Sequence, residues 1–452
     1  MKSQFNKLVR HKKLISRCLF IYGFIAGHDD VSHMIKNRNI TLKRLRRCSI
    51  GIIGLRKKLA ARRLLLISLL SLGLAIIIPV LLFGVLIPTV NAKQNSVSTN
   101  SQVRMSVVAK NLNNPRGLAF RTDGELYITE AGVNGQKTQI PGPAPGVILD
   151  FGLNGSVTRV YQGVQQRIIV DLQSTTVDPK DTQLVPSING SSQTFGATDI
   201  AFDRKGDAYI ILGYATNPLY RRNLGYSGAN LASLLKINLT RKGKVVSLKK
   251  IADFAQYESE KNPSHDDLVS DPYSFLIQGS DCLVVDGGAN DLLRVDRHGD
   301  ISTEAVFNTR YFPNVKFPVQ SVPTAITVGS DGAYYVGEFS GFPFLEGVAR
   351  IFRLMPGQAP QVYAEGFTQI IDIAAAPDGG LYVLEHASHS LLLGDGSGAL
   401  IYLSPSGQRT TLVSDGLVLP TAMTIGSDGA IYVSNYGSYA GIGQVVRIEI
   451  VS

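Results

Sequence analysis

From Met105 onward the chain repeats one pattern: an apolar run alternating with polar residues, a tight Asp-Gly turn, and a second run that carries a tyrosine. Period-two alternation predicts half-buried strands, and Asp-Gly between two such runs predicts a hairpin. Clear copies are Pro115–Phe120 through Asp123-Gly124 to Leu126–Glu130, and Thr198–Phe202 through Gly206 to Ala208–Ile210. Three more are Pro323–Ile326 through Asp331-Gly332 to Tyr334–Glu338, Ile371–Ile373 through Asp378-Gly379 to Leu381–Glu385, and Pro420–Met423 through Asp428-Gly429 to Ile431–Asn435. A degenerate sixth, Pro272–Phe275 to Leu283–Asp286, has Asp281 where the turn glycine is expected.

The turns at 124, 206, 281, 332, 379 and 429 are spaced by 82, 75, 51, 47 and 50 residues. Periods near 50 with short strands indicate propeller blades, because each blade is a small sheet that cannot bury both faces alone. Further runs such as Leu292–Val295, Ala349–Phe352, Leu400–Leu403, Gln361–Tyr363 and Thr411–Val413 raise the count to four strands per repeat. The last run, Val445–Ile448, lacks a fourth strand, while Met105–Ala109 precedes the first hairpin alone. The expected fold is therefore an all-β six-bladed propeller over residues 105–452, closed by the N-terminal strand, which removes an exposed edge. The two long spacings place insertions around 138–192 and 217–271, expected as face loops.

A different pattern precedes the repeats. Residues 64–90 form a run of 27 residues without a charge, long enough to cross a bilayer as a helix despite Pro79. The cationic block 57–63 before it predicts a cytoplasmic N-terminal side and an extracytoplasmic propeller. Val90-Asn91-Ala92 also suits signal-peptidase cleavage, so a transmembrane anchor and a signal sequence both stand, and both export the repeats. Residues 91–104 read as a flexible linker.

The net charge of +10 belongs to the tail: residues 1–63 hold 17 Lys/Arg against Asp29 and Asp30, whereas residues 105–452 hold 26 basic against 33 acidic side chains. The tail reads as a topogenic signal, lengthened if Met34 is the true start. No aromatic interleaving or recognition motif points to nucleic acid. The three cysteines, Cys18, Cys48 and Cys282, have no metal-binding or disulfide spacing, and Cys282 lies in an apolar run as a small buried hydrophobe.

In a propeller the innermost strand of each blade lines the axis, and its start should meet the end of the second strand at one rim. Counting from the turns pairs Gly117 with Glu130, Asp199 with Leu212, Ser274 with Gly287, Ala325 with Glu338, Asp372 with Glu385 and Ala422 with Asn435. Glu130, Asp199, Glu338, Asp372, Glu385 and Asn435 are thereby the candidate metal ligands, with Asp286, Asn290 and Arg116 nearby. An oxygen-only set suits Ca²⁺ or another hard divalent cation. The alternative is that these residues cap strands and accept hydrogen bonds from loop amides. A hydrolase would use Glu338 or Glu385 as general base on a metal-held water, with His386 as proton shuttle. His386 follows Glu385 directly, however, and successive strand residues point to opposite faces. His265, Asp266 and Asp267 read as a solvated loop. No nucleophile elbow, HExxH, P-loop or dinucleotide motif occurs.

The segments Asn113–Leu118, Tyr127–Gly132, Asp286–Asp296, Gln320–Thr324, Tyr335–Pro343 and Ser434–Gly437 resemble the ScyD/ScyE family over essentially residues 105–452, with the first insertion divergent and the basic tail outside it. The resemblance implies an exported NHL-like propeller. Founding members belong to gene clusters for scytonemin, an indolic and phenolic sunscreen pigment of cyanobacteria. The reading favoured for the chain is a scaffold that holds a small molecule or partner protein at the loop-rich face, with the membrane met through the uncharged run 64–90. A more distant likeness to gluconolactonase-like propellers implies a metal-dependent hydrolase as the alternative.

Overall fold

The computed structural model describes residues 102–451 apart from 134, 136, 137, 179–189 and 241. All belong to the second of the two units into which the chain divides, Val97–Ser452. The tail, the 64–90 segment and most of the linker lie outside the described residues. Among those described, no helix is long and apolar enough to cross a membrane.

Six antiparallel sheets follow one another along the chain. The innermost strands, in order of blades 1 to 6, are Pro115–Phe120, Ala197–Phe202, Pro272–Gln278, Pro323–Val328, Ile370–Ala375 and Ala422–Ile425. Each packs against the next and the sixth packs against the first, which closes a ring. Blade 6 takes its outer strand from the other end of the repeats: Gln102–Leu112 pairs antiparallel with Gly443–Val451, Val107 opposite Val446. This β-propeller closure is the one expected from the unpaired first run.

The hairpin turns explain the repeated glycine. In the first, Gly124 N donates to Arg121 O at 2.9 Å with φ at +83°, a conformation that costs a residue with a Cβ. On the same rim the tyrosine of the second strand and a cation of the third clamp the turn carboxylate. Tyr432 Oη and Arg447 Nε both donate to Asp428 Oδ2, at 3.0 and 2.8 Å. The third blade departs from the expected turn: Gln278 pairs with Asp281 across Gly279-Ser280, so Asp281 opens the second strand instead of occupying the turn.

The supposed insertions are smaller than the spacing implied. Much of 138–192 is two long strands of blade 1 itself, Ile148–Tyr161 and Val164–Val177, with the short Thr138–Pro141 beside them. Within 217–271 lie the outer strands of blade 2, Ser233–Leu239 and Val245–Asp253. The added elements there are a 3-10 segment, Pro218–Gly228, and the helix Phe254–Lys261. Hydrophobic layers fill the gaps between blades. One of them, between blades 2 and 3, includes Leu234, Phe254, Val284, Leu293 and Cys282. Cys282 is a free, buried thiol whose pKa burial pushes up to about 12, in keeping with a core role.

Candidate functional site

Five of the six innermost strands carry one extra residue near their start. Pro115 faces Glu130 while Leu118 faces Ile128, and Ile370 faces Glu385 while Asp372 faces Leu384. The same bulge recurs in blades 2, 3 and 4. A bulge of this kind shifts pairing and re-aims the side chains beside it. The rim pairs counted from the turns are offset by one residue even in blade 6, where Ala422 faces Ser434, and the bulges add a second step in the other blades, so the six candidate ligands fall into two groups that do not converge.

Residues ending the second strands bond within their own blade and its flanking connections. Glu130 is fully buried and accepts from Asn113 N, Ser156 Oγ and Thr158 Oγ1, and from both Arg167 Nε and Nη2 at 2.9 and 2.7 Å. Glu338, also fully buried, lies between Arg310 (2.6 Å) and the forked pair from Arg350 (2.7 and 2.9 Å), with Ser321 Oγ at 2.6 Å. Glu385 accepts from Thr368 N at 2.7 Å, and burial lifts its pKa to about 7. Asn435 accepts from Val418 N and donates to Gly416 O, at 2.7 and 2.9 Å. These contacts are those of strand caps, with arginines and hydroxyls beside the loop amides. Among the described residues no group of three or more His, Cys, Asp or Glu side chains is placed to hold a metal ion.

Asp199 and Asp372 lie on the innermost strands and stitch blade to blade. Asp199 accepts from Phe275 N and Ser274 Oγ of blade 3 at 3.0 and 2.9 Å. Asp372 accepts from Met423 N of blade 6 at 2.6 Å. Threonines do the same one position earlier: Thr198, Thr324 and Thr421 donate to the carbonyls of Pro272, Ile370 and Pro115 in the following blades, at 3.2, 2.7 and 2.6 Å.

The equivalent position in blades 1 and 3 holds Arg116 and Tyr273, and these two occupy the axis. Tyr273 Oη reaches Thr421 O of the opposed blade at 3.5 Å. Buried Arg116 donates to Gly437 O and Thr194 O at 3.0 and 2.8 Å, so neither bond neutralises its charge. Asp271, just before the third inner strand, accepts from Tyr214 N at 3.0 Å. His386 stands with Phe339 at the same end, its Nδ1 2.8 Å from Pro420 O. Because a carbonyl only accepts, Nδ1 carries the proton and Nε2 is left as an acceptor.

Burial is the first cause of every shift here. It raises Asp199 to about 6, and Asp271 to about 7 with help from the Asp286 charge. It raises Asp372 to about 8 with help from Asp199, and lowers His386 to about 4 with help from Arg116. The axis thus holds carboxyls that exchange protons near neutral pH, one guanidinium and a neutral imidazole. Tyr273 and Asp271 were not singled out from the sequence. The signal available was the recurring slot filled by Arg116, Thr198, Tyr273, Thr324, Ile371 and Thr421, two of which differ sharply from threonine.

An aromatic series leads to this end of the axis from outside. Phe317 stacks on Phe342 with centroids 5.3 Å apart, Phe342 meets Phe344 at 5.9 Å, Phe344 meets Phe339 at 6.2 Å, and Phe339 meets His386 at 5.7 Å. Phe317 and Phe342 are 40% and 52% exposed. Outside strands, the exposed large apolar side chains, among them Tyr226, Tyr311, Leu393 and Ile442, all sit on connections of this rim and none on the opposite Asp-Gly turns. His265 and Asp267 are exposed there, while Asp266 is held by Thr309 Oγ1 at 2.7 Å.

No family model and no curated protein matches this chain by sequence. Solved structures do. A streptogramin B lyase is similar at 12% identity and a TM-score of 0.40, over 77% of this chain and 98% of its own. The PQQ-bound aldose sugar dehydrogenase of Streptomyces coelicolor is similar at 11% and 0.47, over 77% and 99%. The soluble aldose sugar dehydrogenase of Escherichia coli, in its apo form, is similar at 12% and 0.46, over 77% and 100%. At these values none of their chemistry transfers; the propeller assignment rests on the strand pairing and ring closure above.

Proposed function

We propose that this chain is an exported or membrane-anchored propeller that binds a small aromatic molecule with a polar end at the loop-rich mouth of its axis. The observation that carries this reading is the run of rings from exposed Phe317 and Phe342 to His386, ending beside Arg116 and Asp271. Exposed apolar side chains gathered on the connections of one rim mark a binding face, and stacked or edge-on rings favour a flat partner. Guanidinium, imidazole Nε2 and carboxyl at the inner end offer donors and acceptors to hydroxyl, carbonyl or carboxylate groups.

The ScyD/ScyE resemblance narrows the ligand to indolic or phenolic compounds and the setting to secondary metabolism outside the cytoplasm. Residues 64–90 supply the export signal or anchor. The hydrolase alternative is not proposed: Glu130 and Glu338 are saturated by arginine and Glu385 is capped by an amide, which leaves Asp199 and Asp372 of the five candidate carboxylates, both held by main-chain amides.

The chain has no tryptophan, so an added indole excited at the red edge, beyond tyrosine absorption, is read with little background from the protein. Binding is expected to weaken at least tenfold in the double variant Phe317→Ala, Phe342→Ala. Equal affinity in wild type and variant overturns the reading. Protease protection of the propeller in sealed cells, with cleavage only after lysis, would refute export.

A further inference from the structure

Away from the axis, blades 2 and 3 enclose two carboxylates that nothing in the protein satisfies. The helix Phe254–Lys261 begins under an Asp253 cap, whose side chain accepts from Gln256 N at 3.0 Å, and buries Phe254, Ala255 and Glu258 along one face. Glu258 is 2% exposed, and neither of its oxygens has a hydrogen-bond partner. Asp291, at the start of the third strand of blade 3, is 0% exposed, and its two oxygens are equally unpartnered. It alternates with Leu293 and Val295, which pack with Phe254 in the layer between the blades.

Directly opposite Asp291 in the sheet stands Asp286. Its oxygens are fully used: Oδ1 accepts from Asp271 N, Gly288 N and Ala289 N at 2.6, 3.0 and 3.0 Å, and Oδ2 from Ser270 Oγ at 2.7 Å. Asp286 therefore contributes negative charge to the spot but no open lone pair. Burial raises Asp291 well above the usual carboxylate range, and the charges of Asp286 and Glu258 add to that. Burial first, then Asp286, raises Glu258 to about 8.

Among the described residues no lysine, arginine or histidine pairs with Glu258 or Asp291. A buried carboxylate needs a counter-charge or a full set of donors. Four open oxygens in a negative, cation-free enclosure call for a hard cation that binds oxygen alone.

We propose that Glu258 and Asp291 hold a structural Ca²⁺ ion that fastens the Phe254–Lys261 helix of blade 2 to the second hairpin of blade 3. Two side chains are too few for a closed cage, so main-chain carbonyls and water complete the sphere, as Ca²⁺ with its six to eight oxygen ligands commonly allows. The flexible coordination distances of Ca²⁺ favour it over Mg²⁺ between groups on separate elements.

The test uses the purified full-length chain stripped with EDTA, with equilibrium dialysis against Ca²⁺ and, separately, Mg²⁺, and with thermal unfolding followed in parallel. One Ca²⁺ per chain is expected, together with a rise in Tm that grows with the logarithm of free Ca²⁺. Glu258→Gln and Asp291→Asn are each expected to abolish both effects, while Asp372→Asn on the axis keeps both. Absence of Ca²⁺ binding by the wild type overturns the proposal and assigns the enclosure to protonated carboxyls and buried water. Binding that survives both amide variants, or is matched by Mg²⁺ at equal concentration, overturns it as well. Dialysis of the wild type decides the matter even if an amide variant fails to fold.

Discussion

Gly117 of blade 1 faces Asp199 of blade 2 so closely that a methyl group on its Cα would lie 2.5 Å from Asp199 Cα and 2.9 Å from Thr198 O. Both obstacles are backbone, which cannot rotate away. Gly117→Ala should therefore open the seam between the blades at a cost of about 1–3 kcal/mol, the usual range for overpacking. Thermal unfolding reads the loss; a Tm unchanged within a degree would show that the two strands are free to part.

Glu338 neutralises two arginines, and its replacement leaves Arg310 and Arg350 facing each other. Glu338→Gln should cost about 3 kcal/mol, the scale for breaking a buried pair, with both arginines part-exposed and able to relax. The drop in Tm should be the same in EDTA and in Ca²⁺. A drop seen only in Ca²⁺ would return Glu338 to the role of metal ligand.

Stability should depend on pH through the axial carboxyls. Asp372 has a folded pKa of about 8 against an ordinary 3.8, so the folded state holds the proton more tightly. Its contribution is complete below about pH 4 and is lost as pH rises through 8. Asp199, Asp271 and Glu385 act in the same direction at about 6, 7 and 7. Tm is expected to fall between about pH 4 and 8, and Asp372→Asn should flatten the upper part of that slope. A profile unaltered by the substitution contradicts the assignment.

Phe344 adopts φ of +58°, a strained region for a bulky side chain that costs on the order of 1–3 kcal/mol. Glycine removes the strain along with the ring. Phe344→Gly should leave stability within about 1 kcal/mol of wild type, since relief offsets lost packing, while an aromatic ligand binds more weakly. Equal losses of Tm and affinity would mean that the ring is a core residue only.

Strand order and ring closure were legible because hairpin turns and period-two alternation are local, and one unpaired run at each end allows a single completion. The site was less legible. Counting from the turns sets the pairing one residue off even where the strand is regular, as at Ala422, which faces Ser434, and each inner-strand bulge adds a further residue without leaving a mark in composition, so Glu130, Glu338 and Glu385 meet other strand positions than counted. The partners of Glu130 and Glu338, namely Arg167 and Arg350, sit on outer strands, and Arg310 lies on a connection, where spacing carries no information about which carboxylate they meet. Glu258 escaped notice for a related reason: its burial depends on a helix whose eight residues show no strong apolar periodicity.

Because residues 102–112 find their partner only in residues 443–451, the outer strand of the last blade cannot form until nearly the whole chain has been synthesised. Contacts so distant in sequence slow folding and leave strand edges bare in the meantime. Under the export proposed above, that delay would keep the molecule threadable until its final segment arrives.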